Sequence, residues 1–258
     1  MALIAIPARH GSTRFPGKAL AELEGRTVIQ RVAAAMLRVG GADVVVVTDH
    51  PEIGRSAREV GASAFVSPRP AASGSDRIRH FLDDTGEPWP DLLVNVQGDE
   101  PLLEPEAVRR LLDALRADER IAVVTLLRGV PTPEEARDPD VVKGALRPGG
   151  RMDDFARLPL EDDEAIESPE DLACARRRRW LVHVGVYGFR ARAFRAFTDL
   201  PPSARERSES LEQLRMLEAG LPIHGIVFPT RSIGIDTPGD LERARARLRG
   251  RDGAEQIA

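Results

Sequence analysis

Cysteine is almost missing from this sequence of 258 residues, which contains only Cys174. An internal disulfide is therefore excluded, and with no other signal we expect a reducing compartment and a cytoplasmic protein. Long apolar runs are also missing. None approaches the ~20 residues that would cross a bilayer, and the first apolar run, Ala2 to Ile6, does not resemble a secretion signal. We therefore expect no membrane partner.

Lysine is scarce as well. Of the 37 basic residues, only Lys18 and Lys143 are lysines. Against such a bias toward arginine, a retained lysine hints that a compact ammonium group is needed, although chance retention explains the two equally well. The net charge of −4 and the pI near 5.8 argue against a partner among the nucleic acids.

The order of apolar runs predicts the fold class. Short β-rich runs alternate with amphipathic stretches, which is typical of an α/β protein with a mostly parallel sheet and helices on both of its faces. The predicted strands are residues 2–6, 43–47, 62–66, 92–96, 121–127, 138–146, 181–189 and 223–227. The predicted helices are residues 27–39, 51–60, 75–84, 105–117, 206–218 and 238–248.

The rhythm of the sequence changes near Val130. We expect one domain over residues 1–250, in which residues 130–200 form a substrate-binding and dimerisation subregion. Within it, the acidic residues 153–171 read as a loop or lid, and the arginine run 176–179 as a solvated face. Residues 251–258 are expected to be a disordered tail.

The loop after the first predicted strand carries the strongest chemical signal. Residues 6–18 read IPARHGSTRFPGK, with glycines, cations and hydroxyls that suit a polyphosphate. Ligands of open α/β sheets bind at this end of a strand. A Walker A loop is the main rival, but Gly11 and Gly17 are one residue too far apart and Ala19 replaces the magnesium-binding Ser or Thr. An ordinary basic surface loop is the other alternative.

Two aspartates follow predicted strands and suggest a metal site. Asp99 ends the run NVQGDEP, where Gly98 lets the backbone approach a ligand, and Asp236 lies in GIDTP before a predicted helix. Two carboxylates with phosphate oxygens are a suitable set of ligands for Mg²⁺. Taken alone, Asp236 is more simply explained as a helix N-cap.

Other polar positions are weaker signals. Ser75 and Arg77 open a predicted helix, where a simple N-cap is the default explanation. His183 and Tyr187 lie on one face of a predicted strand, where a core histidine is common. The predicted helix 206–218 carries Glu206, Glu209, Glu212 and Gln213, for which solvated charge is the usual explanation.

Taken together, the segments resemble the 3-deoxy-manno-octulosonate (Kdo) cytidylyltransferases, also called CMP-Kdo synthetases. The resemblance runs from Ile4 to about Leu248, and its segments are IPARHGSTRFPGKAL, VVTDH, SGSDRI, VNVQGDEPLL, DPDVVK, HVGVYGFR, LEQLRMLEAG and GIDTPGDLERAR. It implies a Rossmann-like nucleotidyltransferase fold, a homodimer, and transfer of CMP from CTP to an acidic sugar that serves lipopolysaccharide synthesis.

The resemblance also implies roles for particular residues. Those expected around CTP are Pro7, Ala8, Arg9, Arg14, Lys18, Ser75 and Gln97. Asp99 and Asp236 are expected to hold Mg²⁺, and Lys18, Arg14 and Asp99 to act in catalysis. The sugar acid is expected near Arg77, Arg157, His183, Tyr187, Glu212 and Gln213. Lys143 matches a family lysine without an assigned role.

One segment departs from the family pattern. Family members carry Ser-Arg-Ala-x-Ile-Pro, with an arginine that pairs with the sugar carboxylate, whereas this chain has Ala156-Arg157-Leu158-Pro159 and then turns acidic. A small change, Gly11 in place of alanine, occurs in the first loop. Kdo is the sugar that we expect, and a related acid, 8-amino-Kdo or a sialic acid, is the alternative that this departure leaves open. A non-catalytic nucleotide-binding relative and a P-loop phosphotransferase are the remaining alternatives.

Overall fold

The computed structural model describes residues 1–86, 88–157 and 179–255. The chain forms two compact units, the first made of Met1–Arg109 with Thr230–Ala258 and the second of Arg110–Pro229. Within the described residues, no helix is both long and apolar enough to cross a membrane. Some predicted features lie outside this description. These are Cys174, most of the predicted acidic loop, and the arginine run 176–179 except for the backbone of its last residue.

Strands and helices are numbered here in chain order. The strands are β1 (Ala2–Ala8), β2 (Glu22–Leu23), β3 (Arg26–Thr27), β4 (Asp43–Thr48), β5 (Ser63–Val66), β6 (Leu92–Asn95), β7 (Val123–Arg128), β8 (Lys143–Leu146), β9 (Met152–Ala156), β10 (Arg179–Arg190) and β11 (Ile223–Val227). The helices are α1 (Val28–Leu37), α2 (Pro51–Arg58), α3 (Gly74–Asp84), α4 (Pro105–Ala117), α5 (Pro133–Arg137), α6 (Ala191–Asp199), α7 (Ala204–Glu209), α8 (Gln213–Glu218) and α9 (Pro238–Glu255).

The first unit is built on a parallel sheet in the order β6-β1-β4-β5. Its strands are nearly continuous apolar runs, as expected where helices connect parallel strands and bury them. Because β1 and β6 are neighbours in register, with Ala5 opposite Asn95, the loops that follow them leave the same edge of the sheet. That edge is where an α/β sheet binds ligands.

The second unit contains a mixed set of strands. β7 pairs parallel with β11 and antiparallel with β10, and the beginning of β10 pairs antiparallel with β8, which pairs with β9. The register between β10 and β7 shifts between Val184 and Tyr187. An irregularity of this kind re-aims side chains, and here it lies beside His183.

The α/β class predicted from the sequence is confirmed, and α4 has the predicted bounds. The predicted helix 206–218 is wrong as a single element. It is divided into α7 and α8, because Ser210 adopts the left-handed conformation with φ 55° and ends α7. The predicted acidic loop from Asp153 is also wrong at its start, since β9 continues to Ala156.

The C-terminal end of the chain also differs from the sequence-based expectation. Helix α9 continues to Glu255, where a tail was expected from residue 251. The compact units divide at Arg109 and Thr230. Two compact units can belong to one domain. The single domain over residues 1–250, with a subregion over residues 130–200, therefore stays a prediction.

A buried ion pair joins α7 to α8 in the second unit. The Nε of Arg215 donates to Glu206 Oε2 at 2.7 Å, its Nη2 contacts Oε1, and both side chains are less than a tenth exposed. The guanidinium also lies over the ring of Phe197, with its central carbon 5.0 Å from the ring centre. This ion pair therefore holds α7 and α8 together on either side of the break at Ser210.

We predict that Glu206→Gln lowers the free energy of unfolding by about 3–5 kcal/mol, because it leaves a buried guanidinium without its counter-charge. Urea denaturation followed by circular dichroism measures this. Glu218→Gln makes the same change at the exposed end of α8 and should stay within about 0.5 kcal/mol of the parent. Equal stability of both variants would contradict the role given to the pair.

Candidate active site

The loop after β1 folds back on itself at the ligand-binding edge of the first unit. The carbonyl of His10 accepts hydrogen bonds from the amides of Ser12 at 3.0 Å and Gly17 at 3.1 Å. Gly17 has φ 71°, a left-handed conformation that glycine adopts without strain. A short 3₁₀ turn follows from Lys18 to Leu20. The turn therefore fixes the backbone position of Lys18.

The ammonium group of Lys18 lies between two carboxylates. Its Nζ is 2.9 Å from Asp236 Oδ1 and makes a shorter contact with Asp99 Oδ2. Arg14 reaches the other oxygen of Asp236, with Nη2 2.8 Å from Oδ2. Burial by itself lowers the pKa of Lys18, but the charges and hydrogen bonds of Asp99 and Asp236 outweigh it, so the pKa is raised above its ordinary value. Lys18 is therefore a permanent cation here.

The backbone explains why residues so distant in sequence meet. The amide of Ile235 donates to the Asp99 carbonyl at 2.8 Å, and the Ile235 side chain is fully buried in a cluster with residues of the first unit such as Leu102. The hydroxyl of Ser232 donates to Glu100. The segment that returns from the second unit is thus tied to the turn after β6.

Glu100, which the sequence did not single out, is the buried member of this acidic turn. The pKa of Glu100 is raised to about 7, first by burial and then by repulsion from Asp99 and Asp236, while the Ser232 hydroxyl and the Lys18 charge act in the opposite direction. Glu100 is therefore only partly ionised near neutral pH.

The alternative that Asp236 is only a helix N-cap is not supported. Thr237 and Asp240 cap α9 between them: the Thr237 hydroxyl accepts from the Asp240 amide at 3.2 Å, and Asp240 Oδ2 accepts from the Thr237 amide at 2.8 Å. The same oxygen accepts from the Asp236 amide. The Asp236 carboxylate is left to Lys18 and Arg14.

The donor set around Lys18 fits a Mg²⁺ ion that brings ligands from its substrate. Asp99 and Asp236 already share one cation, and Mg²⁺ takes one or two carboxylates together with phosphate oxygens and waters. Over residues 1–86, 88–157 and 179–255, no three His, Cys, Asp or Glu side chains form a complete metal cage. Phosphate oxygens and waters would complete the coordination.

The residues expected around a nucleotide meet around two glycines. A Cβ on Gly98 would lie 2.9 Å from the Pro7 carbonyl and 3.0 Å from the Ala8 Cβ, and one on Gly74 would lie 3.1 Å from Pro7 Cγ and 3.7 Å from Gln97. Ser75, in the first turn of α3, is buried at the same place. Only backbones without side chains allow this close approach of β1, β6 and α3.

The other two predicted cations of the first unit differ in surroundings. Arg9 is exposed, whereas Arg77 is buried and donates from Nη2 to Asp49 Oδ2 at 3.0 Å. Asp49 Oδ1 accepts from the His10 amide at 3.0 Å. Asp49 therefore ties the loop after β1 to α3, although sequence reasoning gave it no role. Arg77 therefore forms a buried ion pair with Asp49, and its expected place near the sugar stays a prediction.

In the second unit, His183 and Tyr187 are neighbours, with ring centres 5.3 Å apart. Phe155 packs edge-on against His183 at 4.9 Å. Burial lowers the pKa of His183 to about 3, so the imidazole is neutral at ordinary pH. Burial also raises the pKa of Tyr187 well above its ordinary value, with the Thr125 hydroxyl acting against this and the Glu212 charge adding to it.

Arg157 is held by backbone carbonyls at the end of β9. Its Nε donates to Glu209 O at 2.8 Å and its Nη1 to Pro139 O at 3.0 Å. Lys143 is completely buried, and its ammonium donates to the carbonyls of Asp138 and Val141, both at 2.8 Å, and to that of Arg157. Lys143 therefore positions the backbone on which Arg157 stands, a role that the sequence did not provide.

Glu212 and Gln213 begin α8, Glu212 as the residue before its first turn. Gln213 is buried, and its Nε2 makes no hydrogen bond in the described part of the chain. The buried Tyr187 hydroxyl is likewise outside ordinary hydrogen-bond geometry with the described residues. Such orphaned polar atoms are costly unless a ligand or water satisfies them.

Comparison with known proteins identifies the family. A cytidylyltransferase family model matches residues 3–225. A 3-deoxy-manno-octulosonate cytidylyltransferase of Anaeromyxobacter dehalogenans is 44% identical over 247 residues, covering 95% of this chain and 96% of the relative. The chain belongs to the 3-deoxy-manno-octulosonate cytidylyltransferase family.

Other relatives agree with this family membership. The Escherichia coli protein of the same name is 36% identical over 248 residues, covering 96% of each chain. A solved structure of CMP:2-keto-3-deoxy-manno-octonic acid synthetase in complex with CTP is 34% identical, with a TM-score of 0.85 over 97% of this chain and 99% of that one. The resemblance and the nucleotidyltransferase fold expected from the sequence are confirmed, whereas the individual residue roles stay predictions.

We predict that Gly98→Ala weakens binding of CTP, the nucleotide of the solved relative, about tenfold or more. The new methyl group would push Pro7 and Ala8 out of place, and displacements of about 1 Å are enough for such losses. Isothermal titration calorimetry measures the affinity. Gly11→Ala, in the loop after β1, adds a methyl group that meets nothing within 4 Å and should bind CTP normally. Normal binding by both variants would refute the close approach.

Proposed function

We propose that this protein transfers CMP from CTP to the anomeric hydroxyl of 3-deoxy-manno-octulosonate, releasing pyrophosphate. The observation that carries the proposal is the ammonium of Lys18 held between Asp99 and Asp236, beside a glycine-containing loop. Family membership supplies the nucleotide and the sugar class, because the relatives are named for this reaction.

The first unit supplies the charge that a triphosphate needs. Phosphoryl and nucleotidyl transfer depend on alignment and charge stabilisation more than on covalent help from the protein. Lys18 is fixed by the turn at Gly17 and by two carboxylates, so it can stabilise charge that grows on the α-phosphate without reorganising. Arg9 and Arg14 are expected to hold the leaving pyrophosphate.

Asp99 and Asp236 would hold Mg²⁺. Bound there, the ion would neutralise phosphate charge and favour attack by the sugar hydroxyl. The Ile235 amide keeps the two carboxylates at one place, whichever cation they bind. Since Arg14 also contacts Asp236, the loop after β1 and the acidic pair act as one charge-balanced group.

The second unit supplies groups for the sugar acid. Arg157 uses two of its five N–H donors on carbonyl oxygens, and we expect the others to bind the sugar carboxylate. His183, Tyr187, Glu212 and Gln213 would meet its hydroxyl groups. The buried Gln213 amide and Tyr187 hydroxyl have polar atoms for which such a ligand would provide partners.

The purified protein, incubated with CTP and Mg²⁺, tests the proposed reaction directly. We expect pyrophosphate release with Kdo, loss of release with EDTA, and much slower release with 8-amino-Kdo and sialic acid. Faster release with one of those two would replace the proposed sugar. No release with any sugar acid, despite CTP binding, would favour a non-catalytic nucleotide-binding protein.

The proposal includes a cytoplasmic homodimer whose product serves lipopolysaccharide synthesis. Family resemblance supports the dimer and the pathway, and the single cysteine supports a reducing compartment. Light scattering of the purified protein measures the mass in solution; a mass near 28.2 kDa would contradict the dimer.

We predict that Lys18→Ala lowers kcat about 10²- to 10³-fold, the usual cost of losing one preorganised donor, while the KM for CTP changes only a few-fold. Steady-state kinetics separate the two constants, and circular dichroism checks folding. Arg38→Ala removes an exposed cation of the same unit and should leave both constants unchanged. Equal changes in kcat and KM for Lys18→Ala would indicate ground-state binding instead.

We predict that Arg157→Ala raises the KM for the sugar acid about 10- to 100-fold, because a charge-assisted bond to a carboxylate contributes about 1.5–3 kcal/mol. The KM for CTP should stay the same. Arg207→Ala is a matched control, since Arg207 is an exposed arginine of α7 that also donates to a backbone carbonyl. An unchanged KM for the sugar acid would show that another residue binds the carboxylate.

A further inference from the structure

Thr125, in β7, is a buried residue to which neither the sequence motifs nor the proposed reaction assigns a role. Its side chain is completely inaccessible to solvent. Its Oγ1 lies 2.9 Å from the carbonyl oxygen of Val186 and 2.9 Å from Nε2 of His183. A buried threonine hydroxyl that bridges a histidine and the backbone needs an explanation.

Only one arrangement of protons satisfies both contacts of this hydroxyl. A carbonyl oxygen can only accept, so the single proton of Thr125 points to Val186 O. The oxygen of Thr125 must then accept from His183, which places a proton on Nε2. The neutral imidazole carries one N–H, so Nδ1 is left with a lone pair.

The backbone irregularity in β10 leaves Val186 without an opposite residue in β7. The pairing of β10 with β7 passes from Val184 opposite Leu126 to Tyr187 opposite Thr125, so two residues of β10 match none in β7. Residues that bulge out of a ladder lose regular partners. Thr125 supplies a donor to one of the carbonyls in this irregular stretch.

We propose that Thr125 is a positioning residue that fixes His183 as the Nε2–H tautomer, so that Nδ1 accepts a hydrogen bond from a sugar-acid hydroxyl. The hydrogen bond from the sugar acid to Nδ1 rests on the proposed function, whereas the tautomer of His183 does not depend on it. His183 is half-buried, and its Nδ1 has no hydrogen-bond partner in the described part of the chain.

The neutral state of His183 is consistent with this arrangement. Burial lowers the pKa of the ring to about 3, so it does not become a second donor at neutral pH. A lone pair at Nδ1 would be repelled by a carboxylate and attracted to a hydroxyl proton. His183 would therefore recognise a hydroxyl group, and the sugar carboxylate would be left to Arg157.

The tautomer is measured in the wild-type protein labelled with ¹⁵N-histidine. Two-bond proton–nitrogen correlation spectra distinguish a protonated Nε2 from a protonated Nδ1, and His183→Gln identifies the His183 signals among the five histidines. We expect a proton on Nε2 alone near neutral pH. A proton on Nδ1, or on both nitrogens, would overturn the proposal even if every variant failed to fold.

A hydroxyl deletion then tests the coupling. Thr125→Val should give a mixture of tautomers and raise the KM for the sugar acid about three- to tenfold, as expected for one neutral hydrogen bond, with the KM for CTP unchanged. Thr125→Ser should restore both. Thr198→Val, which removes another threonine hydroxyl bound to backbone carbonyls in the second unit, should change neither.

The outcomes separate this proposal from the proposed function. If no sugar acid releases pyrophosphate but the tautomer shifts in Thr125→Val, the reaction is wrong and the positioning role of Thr125 stands. If pyrophosphate is released and Thr125→Val retains the wild-type tautomer and KM, the reaction stands and the role of Thr125 is refuted.

Discussion

One ammonium group shared by two carboxylates is the interaction on which the candidate site depends. Asp99 and Asp236 both contact the Lys18 ammonium. Their like charges would repel each other without a cation between them, and Lys18 supplies that cation. The backbone bond from Ile235 to Asp99 keeps the acids together. The site is thus assembled around a balance of charge that an incoming triphosphate and divalent cation would have to redistribute.

In the second unit, buried side chains whose hydrogen-bond donors are all used fix the positions of the candidate sugar-binding residues. Lys143 fills its three donors with carbonyl oxygens and so fixes the backbone at Arg157. Thr125 uses its hydroxyl as donor and acceptor at once. The Tyr187 hydroxyl and the Gln213 Nε2 are among the buried polar atoms that have no partner in the described part of the chain, so a ligand could use them.

The sequence predicted the layout that follows from local patterns. The apolar runs located the strands of the first unit, and α4 was predicted at its observed bounds. Family motifs pointed to Lys18, Asp99 and Asp236. What it missed depends on contacts between distant segments: Asp49 and Thr125 have roles only through their partners, and Ser210 breaks a helical pattern that periodicity alone reads as continuous.

A crystal structure with CTP and Mg²⁺ tests the central claim most directly. The account predicts one Mg²⁺ ion bound by Asp99 and Asp236 together with phosphate oxygens, and a Lys18 ammonium that has turned from the carboxylates to the α-phosphate. An ion bound away from either aspartate, with Lys18 still between them, would contradict it.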